Sequence, residues 1–218
     1  MYFIFKKLMK QFFFNYHLYP NFSIDNFFIG NANLEAFNFL IKDNSINDKT
    51  ILIGPHKSGK THLSKIWQEK YNAIKYNQNL GHIIEKKQNI LIDDLFYEMN
   101  EEEIFHIINH CHFHNLKILI TSSELINNYH FKLHDLSSRL KTFVNIKINL
   151  PDDELLINLM IKLFHDKQII IKNPELFNYI INRVGRSYEK VFNLIDKIDK
   201  FLLQKNKQLT IPIIKELI

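Results

Sequence analysis

The sequence predicts a parallel, three-layer α/β domain followed by a small all-helical domain, and three observations predict it. Short runs of Ile and Leu alternate with longer segments whose apolar residues recur every three or four positions, the pattern of buried strands joined by crossover helices. A glycine-bearing loop separates the first such strand from the helix after it. Beyond Pro151 the strand-like runs stop and only helical stripes remain.

Residues 1–22 carry no clean periodicity and read as an arm, and Lys6, Lys7 and Lys10 interrupt its apolar run before a signal-peptide core can form. Leu34, Phe37, Leu40 and Ile41 then fall on one face of a first helix. Thr50 to Ile53 is a buried strand ending at Gly54, and Leu63, Ile66 and Trp67 mark the helix that follows. Ala73 to Tyr76 is a second short strand, and Ile90-Leu91-Ile92 is a third, closed by Asp93-Asp94. A helix is expected from about Glu101 to Asn115, then strands at Lys117 to Ser122 and Val144 to Ile148. After Pro151, one stripe runs through Leu155, Leu156, Leu159, Met160 and Leu163, and another through Phe177, Ile180, Ile181 and Val184. A third contains Val191, Leu194, Ile195, Ile198 and Leu202. Asn173 before Pro174 and Ser187 after Gly185 are the expected helix-initiating caps. The expected division is an arm at 1–22, an α/β domain at 23–150 and a helical domain at 151–218.

Composition excludes several classes. A chain of 218 residues with 46% hydrophobic content can bury a core, and five Gly with five Pro rule out collagen-like and low-complexity sequences. The single cysteine, Cys111, cannot form an internal disulfide, and no apolar stretch approaches the roughly 18 residues of a membrane span. A cytoplasmic location without membrane attachment is expected. The net charge of +5 comes from lysines spread along the chain, and the heavy use of Ile, Asn, Lys and Phe matches AT-rich coding, so the charge indicates at most weak DNA contact.

Residues Gly54-Pro55-His56-Lys57-Ser58-Gly59-Lys60-Thr61 match G-x-x-x-x-G-K-[ST]. In such a loop, glycines let successive backbone N–H groups face phosphate oxygens, the lysine bridges the β- and γ-phosphates, and the hydroxyl ligates Mg²⁺. The strand before it and the helix after it supply the context this chemistry needs, where an ordinary glycine turn would need neither. Asp93 and Asp94, at the carboxyl end of a buried strand, are positioned to hold the Mg²⁺ shell and to orient the attacking water respectively, although an acidic pair can also simply start a helix. Thr121-Ser122-Ser123 ends the next strand, where a hydroxyl can reach the γ-phosphate or serve as an N-cap, and Ser123 is the catalytic candidate. Arg139 precedes the last strand, and there it can be an arginine finger toward another subunit's nucleotide or one half of a surface salt bridge. His106, His110, Cys111, His112 and His114 crowd one segment. His106 and His110 have the i, i+4 spacing of a metal pair, but no glutamate follows the first histidine, so they read as polar residues of a helix.

The P-loop, Asp-Asp strand, polar strand end, Arg and helical lid, in this order, resemble the AAA+ ATPases, and the flanking segments resemble the replication-initiator group. Ser23 to Gly30 is similar to the segment of DnaA that lies over the adenine, which implies nucleotide contacts for Phe28 and Ile29. Asp135 to Leu140 is similar to the arginine-finger box and Leu209 to Leu217 to the last lid helix. The resemblance covers roughly residues 11 to 218 and implies ATP or ADP with Mg²⁺ as ligands. The sequence ends at Ile218, leaving no residues for the helix-turn-helix domain of DnaA, and on that ground the expected similarity is to Hda-like regulators. That similarity implies three properties: attachment to the DNA polymerase sliding clamp through Gln11, Phe12, Phe14 and Tyr16, contact with DnaA, and stimulation of its ATP hydrolysis. The arm can equally be a hydrophobic segment packed on its own domain, and a homo-oligomer is compatible with the family. Glu189 stands where the family has its nucleotide-sensing arginine, with Arg186 about one turn earlier and Arg183 about two turns earlier as the possible substitutes, which implies an ADP-bound or weakly hydrolysing protein. The competing functions are a helicase-loader-like or single-strand-binding AAA+ module and a nucleotide kinase, for which no acceptor-binding arginine cluster is visible.

Overall fold

The computed structural model describes residues 22–43, 48–77, 79–96, 100–205 and 209–218. The clamp-like residues Gln11, Phe12, Phe14 and Tyr16 lie outside the described residues. The α/β part begins with α1 (Leu34–Phe37), continued by a π-helical turn at Asn38–Lys42. It proceeds through β1 (Lys49–Ile53), α2 (Lys60–Lys70), β2 (Ile74–Lys75), α3 (Leu80–Glu85), β3 (Ile90–Ile92), α4 (Glu101–Phe113), β4 (Ile118–Ser122), α5 (His134–Leu140) and β5 (Val144–Lys147). The strands form one parallel five-stranded sheet in the order β2-β3-β4-β1-β5.

The alternation of side chains along each strand divides the core into two layers. Ile51, Ile53, Ile90, Ile92, Ile118 and Ile120 point to the face covered by Ile104, Ile107, Ile108 of α4 and Leu136, Leu140 of α5. Leu52, Leu91 and Leu119 point to the opposite face, against Leu63, Ile66 and Trp67 of α2 and Ala36, Phe37 of α1. The central strands are buried on both faces, which is why they read as unbroken Ile/Leu runs. Helix α4 starts where Asn100 accepts a hydrogen bond from the Glu103 N–H at 3.3 Å, with Glu101, Glu102 and Glu103 in the first turn beside the positive end of the helix dipole. The Glu101 carboxylate also accepts from the backbone N–H groups of Lys132 and Leu133, tying α4 to the segment that starts α5.

The remaining elements are helices: α6 (Asp153–Asp166), α7 (Glu175–Val184), α8 (Tyr188–Lys205) and α9 (Ile211–Leu217). They share a separate core in which Leu156, Met160, Ile180, Val191, Ile195, Ile198 and Ile214 are fully buried. Asp152 caps α6 by accepting from the Leu155 N–H at 2.8 Å. Pro174 rather than Asn173 occupies the N-cap position of α7, and Asn173 still serves the helix end by accepting from the Glu175 N–H at 3.0 Å. The Ser187 carbonyl accepts from the Val191 N–H at 3.1 Å and so starts α8. No helix among the described residues is long and apolar enough to cross a membrane.

Candidate functional site

The eight residues from Gly54 to Thr61 join the end of β1 to the start of α2, at the carboxyl edge of the sheet where ligands bind in open α/β folds. The Gly54 N–H donates to the Ser122 carbonyl at 3.1 Å, anchoring the loop to β4. A Cβ at Gly54 would sit 2.9 Å from Ser58 Oγ and 3.2 Å from the Ile148 carbonyl oxygen, so only glycine lets the loop fold this tightly. Lys57 and Gly59 have φ of 62° and 91°, in the left-handed region, and these two turns curl the loop around its own N–H groups. Ser58 Oγ is buried inside the loop with no hydrogen-bond partner. Lys60 Nζ folds back to donate to the Gly54 carbonyl at 2.8 Å and the Pro55 carbonyl at 2.9 Å. Burial lowers its pKa, and Asp94 and then Asp93 pull it back up, so this half-buried ammonium is poorly solvated and lies across the mouth of the loop.

The acidic half of the site is built by register. Ile92 pairs with Ile120, so Asp93 and Thr121, one position on, face the same side as Leu91 and Leu119, the side covered by α2. Asp93 Oδ1 accepts from Thr121 Oγ1 at 2.9 Å and from Thr61 Oγ1 at 3.3 Å, while Oδ2 accepts from Lys75 Nζ at 3.0 Å. Asp94 is exposed with φ of 65°, and its N–H donates to Thr121 Oγ1 at 2.7 Å. The hydroxyl that joins the cluster is therefore that of Thr121. Ser122 Oγ bonds instead with the backbone of Glu124, and among the described residues Ser123 makes no hydrogen bond to Asp93 or Asp94. Lys75 is a participant that sequence reading missed, because its contact depends on strand pairing across β2 and β3.

The predicted adenine segment borders the loop. Phe27 is buried, stacks on Phe37 and meets the His62 ring edge-on at 5.2 Å, while Phe28 and Ile29 are 41% and 46% exposed and so available to a ligand. Asn33 fixes the segment by accepting from the Gly30 N–H and donating to the Phe28 carbonyl. Lys162 of α6 donates to the Asn26 carbonyl at 2.9 Å and lies over the Phe28 ring. His62 Nε2 lies 3.0 Å from the Ser23 carbonyl. Burial pushes the imidazole below its ordinary value of 6.5, an effect that outweighs the opposing bond to that carbonyl. The folded state therefore favours neutral His62. The stability this contributes is present above about pH 6.5 and is lost as the pH falls through the lower folded value. Urea unfolding at decreasing pH is expected to show a smaller loss of stability in His62→Gln than in the wild type.

Arg186 is engaged within the helical part. Its guanidinium grips Asp153 through two bonds of 2.7 and 2.9 Å, tying the start of α8 to the start of α6. The helical part meets the P-loop instead through Lys57, whose ammonium lies 5.8 Å from the Phe192 ring centroid. Glu189 is exposed in the first turn of α8. Arg139 occupies the last turn of α5, the helix that leads into the edge strand β5. A cavity of about 670 Å³ lies between this helix and β5, lined in part by Tyr129, Ser137, Lys141 and Lys147, and it includes no P-loop residue. On α4 the His110 and His114 rings are 4.6 Å apart, and burial pushes the Cys111 thiol up to about 12, so it stays protonated. Among the described residues no three His, Cys, Asp or Glu side chains are grouped to hold a metal ion.

A family model described as the Hda lid domain matches residues 160–218. The chain is 24% identical over 231 residues to the chromosomal replication initiator protein DnaA of Aliarcobacter butzleri, covering 92% of this chain and 52% of that protein. It is 24% identical over 222 residues to an uncharacterized protein of Haemophilus influenzae, covering 93% of this chain and 95% of that one. Domain III of Thermotoga maritima DnaA superimposes with a TM-score of 0.74 at 19% identity, covering 91% and 96% of the two chains. AMPPCP-bound DnaA from Aquifex aeolicus superimposes with a TM-score of 0.64 at 17% identity, covering 84% and 66%. The chain thus spans about half the length of the DnaA protein it matches. With a P-loop on a parallel five-stranded sheet and a C-terminal helical part that matches the Hda lid model, the chain is similar to DnaA-related AAA+ proteins and, in its lid, to Hda.

Proposed function

We propose that this protein is an Hda-like regulator of replication initiation, which holds a nucleotide at its P-loop, docks on the sliding clamp and promotes ATP hydrolysis by DnaA. The observation that carries the reading is the convergence of Lys60, Thr61, Asp93 and Thr121 at one sheet edge, in a chain whose C-terminal part matches the Hda lid. The loop fits the ligand: the Ser58 hydroxyl is buried without a partner, and the half-buried Lys60 ammonium is held by carbonyls of its own loop that a phosphate can replace. ATP or ADP would lie with its phosphates on the loop N–H groups and Lys60, and its base beside Phe28 and Ile29. Thr61 and Asp93 would hold Mg²⁺, which when bound supplies charge neutralisation at the phosphates. Asp94 would orient a water. With Arg186 engaged by Asp153, Arg183 over the Tyr179 ring and Glu189 at the lid position, the lid arginines are held by the lid's own residues, which favours retention of nucleotide over rapid turnover.

Arg139 is the group that acts on the partner. It lies in the last turn of α5, the helix that leads into the edge strand β5, and in this reading its guanidinium would serve the nucleotide of a neighbouring molecule, DnaA. Docking on the clamp rests on Gln11, Phe12, Phe14 and Tyr16: aromatic anchors for an apolar groove, oriented by one amide. A clamp pull-down tests it. Wild-type protein is expected to be retained, whereas Gln11→Ala and Phe14→Ala each lose about tenfold or more in affinity, the usual cost of deleting an anchor residue. Equal retention of all three proteins would remove the arm from the reading. A second reading, a single-strand-binding AAA+ module, draws on the similarity to a DnaA solved with AMPPCP and single-stranded DNA. Steeply salt-dependent DNA binding by the isolated protein would favour it.

A further inference from the structure

We propose that Lys75 is a built-in counter-ion for the metal-binding carboxylate: its ammonium stands where a divalent cation would balance Asp93, so the site takes a nucleoside diphosphate without metal and gains little from Mg²⁺. This rests on the nucleotide-binding reading of the P-loop given above. The placement is set by the sheet. Lys75 pairs with Leu91 in the parallel ladder between β2 and β3, and side chains at paired positions share a face, so Lys75 points to the same side as Leu91 and Asp93. From there the four-carbon chain reaches one step up the sheet edge and brings Nζ to 3.0 Å from Asp93 Oδ2.

Most lysine–carboxylate pairs on a protein surface are solvated ornaments with little energetic weight. This pair differs in its carboxylate. The Asp93 side chain is only 9% exposed, and its other oxygen already accepts from Thr61 and Thr121. Both oxygens are thus engaged, and a metal ion that takes Asp93 as a ligand has to displace the ammonium or share its oxygen with it. The lysine side chain, 45% exposed, can move aside, but doing so separates a charge pair in a crevice of reduced dielectric. Lys75 also changes the field that an incoming phosphate meets. Without it, Asp93 and Asp94 would face the phosphates with Lys60 as the cation coupled to both of them. With it, two ammoniums oppose two carboxylates, and a metal-free polyphosphate can approach.

The test is calorimetric titration of the full chain with ADP, in excess EDTA and in excess MgCl₂, for the wild type, Lys75→Met and Lys75→Arg. The wild-type dissociation constants in the two buffers are expected to agree within about threefold. In Lys75→Met the ratio of the EDTA value to the Mg²⁺ value is expected to rise by about tenfold or more, because the exposed carboxylate repels free ADP and accepts Mg²⁺. Lys75→Arg keeps the charge and is expected to keep the wild-type ratio. Tight ADP binding by the wild type only with Mg²⁺, or a Lys75→Met ratio equal to that of the wild type, would overturn the proposal while leaving the nucleotide site in place. No ADP binding by the wild type in either buffer would overturn the nucleotide site and this proposal together.

Discussion

Lys60→Ala is expected to lower the affinity for ATP and ADP by about 100-fold while leaving the protein folded. The ammonium is half-buried, its pKa is lowered by desolvation, and its partners without ligand are two backbone carbonyls of its own loop. Such a charge gains when a phosphate replaces those carbonyls, and the gain disappears with the side chain. Removing a hydrogen-bonded charge from a polar contact of this kind costs about 2–5 kcal/mol, which sets the size of the effect. Folding is less affected, because α2 is held by the buried Leu63, Ile66 and Trp67, and the Lys60 side chain is not part of that core. Fluorescence titration with a labelled nucleotide gives the affinity, and urea unfolding gives the control. Affinity equal to that of the wild type would mean that the loop does not bind phosphate.

Arg139→Ala is expected to abolish stimulation of DnaA's ATP hydrolysis, a loss of about 1,000-fold in the stimulated rate, with nucleotide and clamp binding unchanged. An arginine supplied in trans stabilises the charge of the transferring phosphoryl group, and its planar fork is not reproduced by an ammonium, so Arg139→Lys is expected to lose most of the effect as well. The local structure supports a clean variant. Arg139 lies in the last turn of α5, whose packing is carried by the fully buried Leu136 and Leu140, and no ion pair among the described residues involves its guanidinium. Single-turnover hydrolysis by ATP-loaded DnaA measures the effect. Full stimulation by Arg139→Ala would assign the chemistry to another group.

The strands and the phosphate loop are legible in the sequence because their signals are local. A strand buried on both faces has to be a continuous apolar run, as in Ile90-Leu91-Ile92, and a loop that places its N–H groups around an anion needs glycines at fixed spacing, as at Gly54 and Gly59. Short elements are less legible. Helix α3 spans two turns or less, too few residues for a periodic stripe, and α5 is readable only as a segment around Arg139. The first helix is readable from Leu34 and Phe37, but its passage into a π-turn at Asn38 leaves no trace in apolar spacing.

Within the site, what the sequence hides is whatever depends on two elements at once. Choosing among Thr121, Ser122 and Ser123 requires the register of β3 with β4, which sets Thr121 opposite Asp93 and gives Ser122 to the turn. Lys75 reaches Asp93 only because β2 pairs with β3, and Arg186 is held by an aspartate at the start of a different helix. The lysines at 57 and 162, which link the P-loop and the Phe28 segment to the helical lid, are likewise invisible before the lid is packed against the sheet domain.

The most direct test of the regulator reading is hydrolysis of DnaA-bound ATP, followed as labelled ADP, in the presence of clamp-loaded DNA with and without this protein. Hydrolysis is expected to accelerate only when the clamp and this protein are both present, and Arg139→Ala is expected to remove the acceleration. An unchanged hydrolysis rate with folded, clamp-bound wild-type protein would contradict the regulator reading.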